Sequence, residues 1–167
     1  MRDMDVLGEF FRHNTMMNER LLETCRGLSS EQLAATTAGT FGSIGATLVH
    51  LSNAQEGYAA RILGHERPER LPEDPFPGFD VLSKRFSEGN RQLERAVTTS
   101  ASDREIEVGG DEEETWKLPA SLILLQAINH GTEHRSQIST ILTQIGVEPP
   151  EMDGWTFFVD SSQMVRA

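Results

Sequence analysis

The sequence contains a single cysteine, Cys25, among 167 residues. One thiol cannot form an internal disulfide, and a chain of this length buries enough surface to fold without one. Long apolar runs are also missing, since none reaches the roughly 18 residues that a membrane-spanning helix needs. The first ten residues carry acids and lack the basic and apolar regions of a secretory signal. We therefore expect a cytoplasmic protein.

Basic side chains are scarce. The sequence has 15 Lys and Arg against 26 Asp and Glu, which gives a net charge of −11. Such a charge repels phosphate backbones and anionic lipid surfaces, so we expect neither a nucleic-acid partner nor a membrane partner. The apolar fraction of 37% and the charged fraction of 25% are ordinary for a globular protein. We predict one domain over residues 1–167 that is an enzyme, a small-molecule binder or an interaction module.

Hydrophobic residues recur with helical periodicity in four long segments. Residues 65–78 are rich in proline and indicate a long crossover loop. Residues 104–118 alternate on both sides of Gly109 and Gly110, which predicts a small hairpin. The predicted fold is therefore all-α, a four-helix bundle with a long crossover and a β-hairpin before the last long helix. The predicted helices are approximately Asp3–Leu28, Ser43–Gly64, Phe79–Thr98 and Pro119–Ile145.

Two histidines of the last helix, His130 and His134, are spaced to lie on one face in an isoleucine-rich stripe. Burying two imidazoles is costly unless each has a partner, and one metal ion would satisfy both. His50 lies on an inward-leaning face of the second helix, beside small residues. Core histidines with ordinary hydrogen bonds are the alternative, and the spacing alone favours the two interpretations about equally. We expect His13 and His65 to be solvated.

Other polar residues near these faces suggest how a site could work. Asn14 and Asn18 fall in the apolar stripe of the first helix, so they either face the metal cleft or bond to backbone or water. Cys25 shares that stripe and is expected to be buried and inert. Glu133 lies off the face of His130, so no general base is evident and the nucleophile should come from solution. Arg135 is expected to point away from the core.

Three segments together resemble the DinB/YfiT-like superfamily of metal-binding four-helix bundles. The resemblance is carried by NHGTEHRSQISTILTQIGVEPPE at 129–151, by GSIGATLVHLSNAQEG at 42–57 and, more weakly, by LGEFFRHNTMMNERLLETCRGLSSEQL at 7–33. It covers almost the whole chain. The chain departs from the family at Ser136, where glycine is common. It also departs from the mycothiol-dependent isomerases of the family, because it keeps His130 where they have glutamate.

The resemblance implies an up-down-down-up bundle that often forms homodimers. It implies a divalent ion, zinc or nickel, held by His50, His130 and His134. We add four candidate supporting residues: Asn14, Asn18, Asn53 and Gln137. Relatives include transferases that use a low-molecular-weight thiol, so the leading function is thiol-dependent S-transferase-like chemistry on a small electrophile. The alternatives are a metal-dependent hydrolase of a small molecule and a non-catalytic metal-binding or dimeric bundle.

Overall fold

The computed structural model describes residues 6–98, 104–109 and 115–161. These ranges contain four long helices, two short helices and two strands. The all-α bundle with a small hairpin is therefore confirmed. The predicted helix start at Asp3 and the hairpin residue Gly110 lie outside the described residues. The elements are α1 (Val6–Arg26), α2 (Ser30–Leu33), α3 (Ile44–Leu63), α4 (Phe79–Thr98), β1 (Glu105–Gly109), β2 (Thr115–Pro119), α5 (Ala120–Gln144) and α6 (Gly154–Asp160).

The four long helices form a ring in the order α1, α4, α3, α5. The buried apolar side chains divide into two clusters. One is centred on residues such as Leu48, Phe86 and Ile138, and the other on residues such as Phe11 and Leu93. Between them lies a layer of buried polar side chains, which we call the polar layer: Asn14, Asn18, Ser52, Asn53, Gln55, Glu56, Asn90, His134 and Arg135. A polar layer in the core replaces apolar contacts. Because burying an unpaired polar group is costly, each of these side chains needs a hydrogen-bond partner.

The ends of α3 and α5 follow from local chemistry. Ser43 caps α3, because its side chain accepts a hydrogen bond from the Ala46 N–H. Gly64 ends the helix at φ 74°, a left-handed conformation that favours glycine. Pro119 was predicted in the first turn of the last helix but is its N-cap residue, where the missing N–H leaves no bond unmade. These caps fix where the histidine-bearing helices begin and end.

The predicted hairpin is confirmed as an antiparallel pair in which Val108 lies opposite Trp116 and Ile106 opposite Leu118. Ile106 is buried and belongs to the same apolar cluster as Phe11. The hairpin therefore covers one end of the bundle. A backbone hydrogen bond from Ala120 N–H to the Arg104 carbonyl, 2.8 Å long, ties it to the start of α5.

The C-terminal segment corrects the prediction that His13 is solvated. The His13 ring is partly buried, and its Nε2 lies 3.1 Å from the Met152 carbonyl, to which it donates. Its edge also contacts the Phe157 ring at a centroid distance of 5.5 Å. Phe157 is buried, whereas Trp155 is 73% exposed. The short α6 presents only one face to α1, so a single aromatic can be buried there.

Cys25 is fully buried, and burial raises the pKa of its thiol to about 12. A thiol in this environment stays protonated and behaves as a small apolar group. The burial predicted for this residue is therefore confirmed. Among the described helices, none is both long enough and apolar enough to cross a membrane.

Candidate metal centre

Three histidines converge at the edge of the polar layer. His50 comes from α3, and His130 and His134 come from successive turns of α5. One ring nitrogen of each lies within 4.8 Å of the others. The His50 Nε2 and His130 Nε2 atoms are 3.1 Å apart, and the rings of His130 and His134 have a centroid distance of 4.4 Å. Because α3 and α5 are neighbours in the bundle, residues 80 positions apart in sequence meet here.

The orientation of the His134 ring is fixed by Gln137. The Phe41 N–H donates to Gln137 Oε1 at 3.1 Å. This bond identifies the oxygen end of the Gln137 side-chain amide. The same oxygen lies 3.0 Å from His134 Nδ1. A carbonyl oxygen can only accept, so Nδ1 carries the proton. The Nε2 lone pair of His134 is thereby left available for a ligand.

An aromatic side chain that the sequence did not flag forms one wall of the centre. The Phe41 ring lies on His50 at a centroid distance of 4.1 Å and contacts His134 edge-on at 5.3 Å. Phe41 precedes the N-cap of α3, in a segment without periodicity, so no pattern could assign it a face. It is 47% exposed, which places it between the histidines and solvent.

A carboxylate from the crossover loop was also missed. Glu73 Oε1 lies 3.6 Å from His50 Nδ1, an atom that is buried and has no hydrogen-bond partner in the described part of the chain. Asn53 holds the loop in place, because its amide donates to the Leu71 carbonyl and accepts from the Leu71 N–H, both at 2.9 Å. The described hydrogen bonds of Asn53 therefore run to the loop that carries Glu73. Helical periodicity contains no information about a loop contact of this kind.

The electrostatics of the centre favour neutral imidazoles. Burial, followed by the proximity of His134, lowers the pKa of His50, although Glu73 opposes the shift. Burial and the two neighbouring histidines lower the pKa of His130 to about 4. A neutral imidazole keeps the lone pair that a metal ligand must offer.

Arg135 lies inside the bundle, which corrects the prediction that it points away from the core. It is 3% exposed and donates to Asn14 Oδ1 at 2.6 Å and to Asn18 Oδ1 at 2.8 Å. The Asn18 amide in turn donates to Gln55 Oε1 at 2.6 Å. The described partners of both asparagines are thus side chains of the polar layer. Burial lowers the pKa of Arg135 to about 10, with the guanidinium still charged at neutral pH.

Neither Glu133 nor Glu56 is hydrogen-bonded to a histidine in the ranges described. Glu133 is exposed and lies 3.4 Å from the Gln137 amide nitrogen. Glu56 is buried, and its carboxylate accepts from Arg85. The arrangement can hold a cation through three imidazoles, and the carboxylate that approaches the cluster is that of Glu73, at Nδ1 of His50.

Fold and site together define a four-helix bundle with a three-histidine cluster between two neighbouring helices. The family model of the DinB family matches residues 1–162, and the chain belongs to that family. A solved structure of a DinB-like protein from Bacillus cereus ATCC 10987 is similar, with a TM-score of 0.69 and 18% sequence identity. The match covers 90% of this chain and 97% of the other, and it supports the fold. No curated protein matches the sequence.

We expect Gln137→Ala to weaken zinc binding by about tenfold, because the His134 ring loses the acceptor that fixes its tautomer. Competition titration against a chromophoric zinc chelator would measure the change. Gln137→Glu keeps an oxygen acceptor and should retain affinity. Gln126→Ala, an exposed glutamine on the same helix, is the matched control. Equal affinity in Gln137→Ala and Gln126→Ala would show that this contact does not orient a ligand.

Proposed function

We propose that the protein is a divalent-metal-dependent enzyme acting on a small molecule, with zinc or nickel held by His50, His130 and His134. One observation carries the proposal: a ring nitrogen from each of the three residues lies within 4.8 Å of the others. The proposal includes a low-molecular-weight thiol as cosubstrate and a homodimeric assembly, as the family resemblance implies.

The residues present fit such an ion. Ligands at the usual zinc–nitrogen distance in a tetrahedral site are about 3.3 Å from one another. The 3.1 Å between the Nε2 atoms of His50 and His130 is close to that value. Imidazole is a favoured donor for both zinc and nickel. A hydrogen bond from the second ring nitrogen to an oxygen, as His134 makes to Gln137, is the usual support for such a ligand.

The ligand number supports a catalytic role. Structural zinc sites usually have four protein ligands, whereas catalytic sites have three and keep a position open. In the described ranges, the group of side chains that could hold a metal ion consists of three histidines with no fourth residue. His50 and His130 are also only half-buried, and a cleft opens beside them. A small molecule could therefore reach the histidines from solvent.

The surroundings favour a nucleophile supplied from solution. Cys25 is buried away from the centre, and the Glu56 carboxylate is occupied by Arg85. A metal ion bound by imidazoles lowers the pKa of a thiol or water at its open position and so makes it nucleophilic at neutral pH. In the transfer that we propose, a bond forms between the thiol sulfur and an electrophilic carbon. The leaving group departs with its electron pair, and the thiol proton passes to solvent.

The test begins with elemental analysis of the purified protein, followed by loading with zinc or nickel. Glutathione and cysteine serve as thiol probes and chlorodinitrobenzene as the electrophile, with metal-depleted protein as control. We expect metal-dependent thioether formation that Glu133→Gln retains. If loaded Glu133→Gln retains its metal but loses turnover, a protein base is required. Metal-dependent ester cleavage without thiol transfer would favour the hydrolase, and neither activity would favour a non-catalytic bundle.

A further inference from the structure

A cleft of about 230 Å³ runs from the histidine cluster along α3 towards the crossover loop. His50 and His130 form its inner end. Ala54 and Gly57 lie one and two turns beyond His50 on the same face of α3, and their small size leaves the space open. The rest of the lining consists of Tyr58, whose ring contacts that of His130 at a centroid distance of 5.7 Å, and of three arginines: Arg61, Arg67 and Arg70.

The charge of this cleft is opposite to that of the chain. The protein has a net charge of −11, yet three guanidinium groups line one small volume. Over the described ranges, the side chains of Arg61 and Arg70 have no hydrogen bond or ion pair, and Arg67 donates to the Asn53 carbonyl at 3.1 Å. Two acids near them have other partners: the Glu56 carboxylate accepts from Arg85, although its charge also acts on Arg67, and Glu73 faces His50.

Gly57 brings one of the arginines close to the helix. A Cβ atom at this position would lie 2.9 Å from Arg67 Cζ and 3.1 Å from its Nε, so the guanidinium lies directly against α3. Burial, and after it the positive charges of Arg70 and Arg61, lower the pKa of Arg67. Like charges held close together are unfavourable, and a bound anion would relieve the repulsion.

We propose that the arginine cleft binds a carboxylate or phosphate group of the small molecule that reacts at the histidine cluster. Guanidinium groups bind both anions through paired N–H donors, and three of them can surround one anionic group. The cavity is smaller than the roughly 300–1,000 Å³ of drug-sized ligand sites, so its occupant is a small acid or the acidic end of a larger molecule. This inference rests on the proposed function for the reaction at the histidines, but the anion site itself needs no metal.

The test uses metal-depleted protein, so that phosphate or carboxylate cannot bind through an ion. Isothermal titration with succinate and, separately, inorganic phosphate measures affinity, and succinamide is the uncharged control. The variant Arg61→Gln/Arg67→Gln/Arg70→Gln removes the three cleft arginines. A matched variant, Arg12→Gln/Arg26→Gln/Arg91→Gln, removes the same charge from α1 and α4, outside the cleft.

We expect the native protein to bind at least one of the two anions and not succinamide. The cleft variant should bind that anion at least about tenfold more weakly, while the matched variant keeps its affinity. Gly57→Ala should also weaken binding, because the new methyl displaces Arg67. Absence of anion binding by the native protein, or an equal loss in the matched variant, would overturn the proposal. Metal content is measured separately, on protein that has not been depleted, so failure of the anion site can be told apart from failure of the metal site.

Discussion

Replacing His50, His130 or His134 by alanine is expected to abolish divalent-metal retention and, with it, turnover, while the bundle stays folded. Each substitution removes one of three ligands. The loss of affinity should exceed the roughly 100-fold that the removal of a supporting contact can cost. The fold should persist because His50 and His130 are only half-buried, and the hydrogen bond of the buried His134 is made to Gln137 of the same helix. Elemental analysis after dialysis measures the metal content, and far-ultraviolet circular dichroism measures the helical content.

His65→Ala is the matched control, because His65 is exposed in the crossover loop and lies outside the cluster. It should retain metal and activity at native levels. Full metal content in any one of the three cluster variants would contradict the assignment of that histidine. A loss of helical signal that accompanies the loss of metal would indicate a structural role for the ion.

Gly131→Ala is expected to lower the free energy of unfolding by about 2 kcal/mol, although alanine favours helices more than glycine does. A Cβ atom here would lie 2.8 Å from Asn14 Oδ1 and 2.9 Å from an Arg135 guanidinium nitrogen. The methyl group would therefore separate the Arg135 guanidinium from Asn14 Oδ1 and break a hydrogen bond between two buried side chains. Urea denaturation followed by circular dichroism measures the change.

Gly154→Ala provides the comparison, because a Cβ atom at this position of α6 meets nothing within 4 Å. It should leave stability unchanged or slightly raised. If Gly131→Ala is as stable as Gly154→Ala, the polar layer is loose enough to accommodate a methyl group. The contact between Arg135 and the two asparagines would then contribute little to the fold.

The bundle was predictable because its helices carry local signals at both ends. Ser43 and Gly64 bracket α3 in the sequence as they do in the structure, and the proline-rich crossover could not continue a helix. The hairpin could be predicted from the alternation of polar and apolar residues alone. The prediction that Arg135 points away from the core was wrong because it assumed that α5 buries one face only. In the structure, α5 packs against both α3 and α1.

The approach of three histidines could be anticipated from helical faces, since residues four apart on α5 point the same way. Their surroundings could not. Phe41 and Glu73 belong to irregular segments whose paths depend on tertiary contacts. An example is the pair of hydrogen bonds between the Asn53 side chain and the crossover loop. The three arginines of the cleft likewise come from two places, Arg61 from α3 and Arg67 and Arg70 from that loop. No periodicity relates such positions.

X-ray absorption spectroscopy at the metal edge, on protein loaded with zinc or nickel, tests the central claim most directly. The native protein should show a first shell that includes three imidazole nitrogens, at about 2.0–2.1 Å for zinc. His130→Ala should lose imidazole scattering, and His65→Ala should not. A first shell without imidazole, or a spectrum that is the same in the native protein and His130→Ala, would contradict the account.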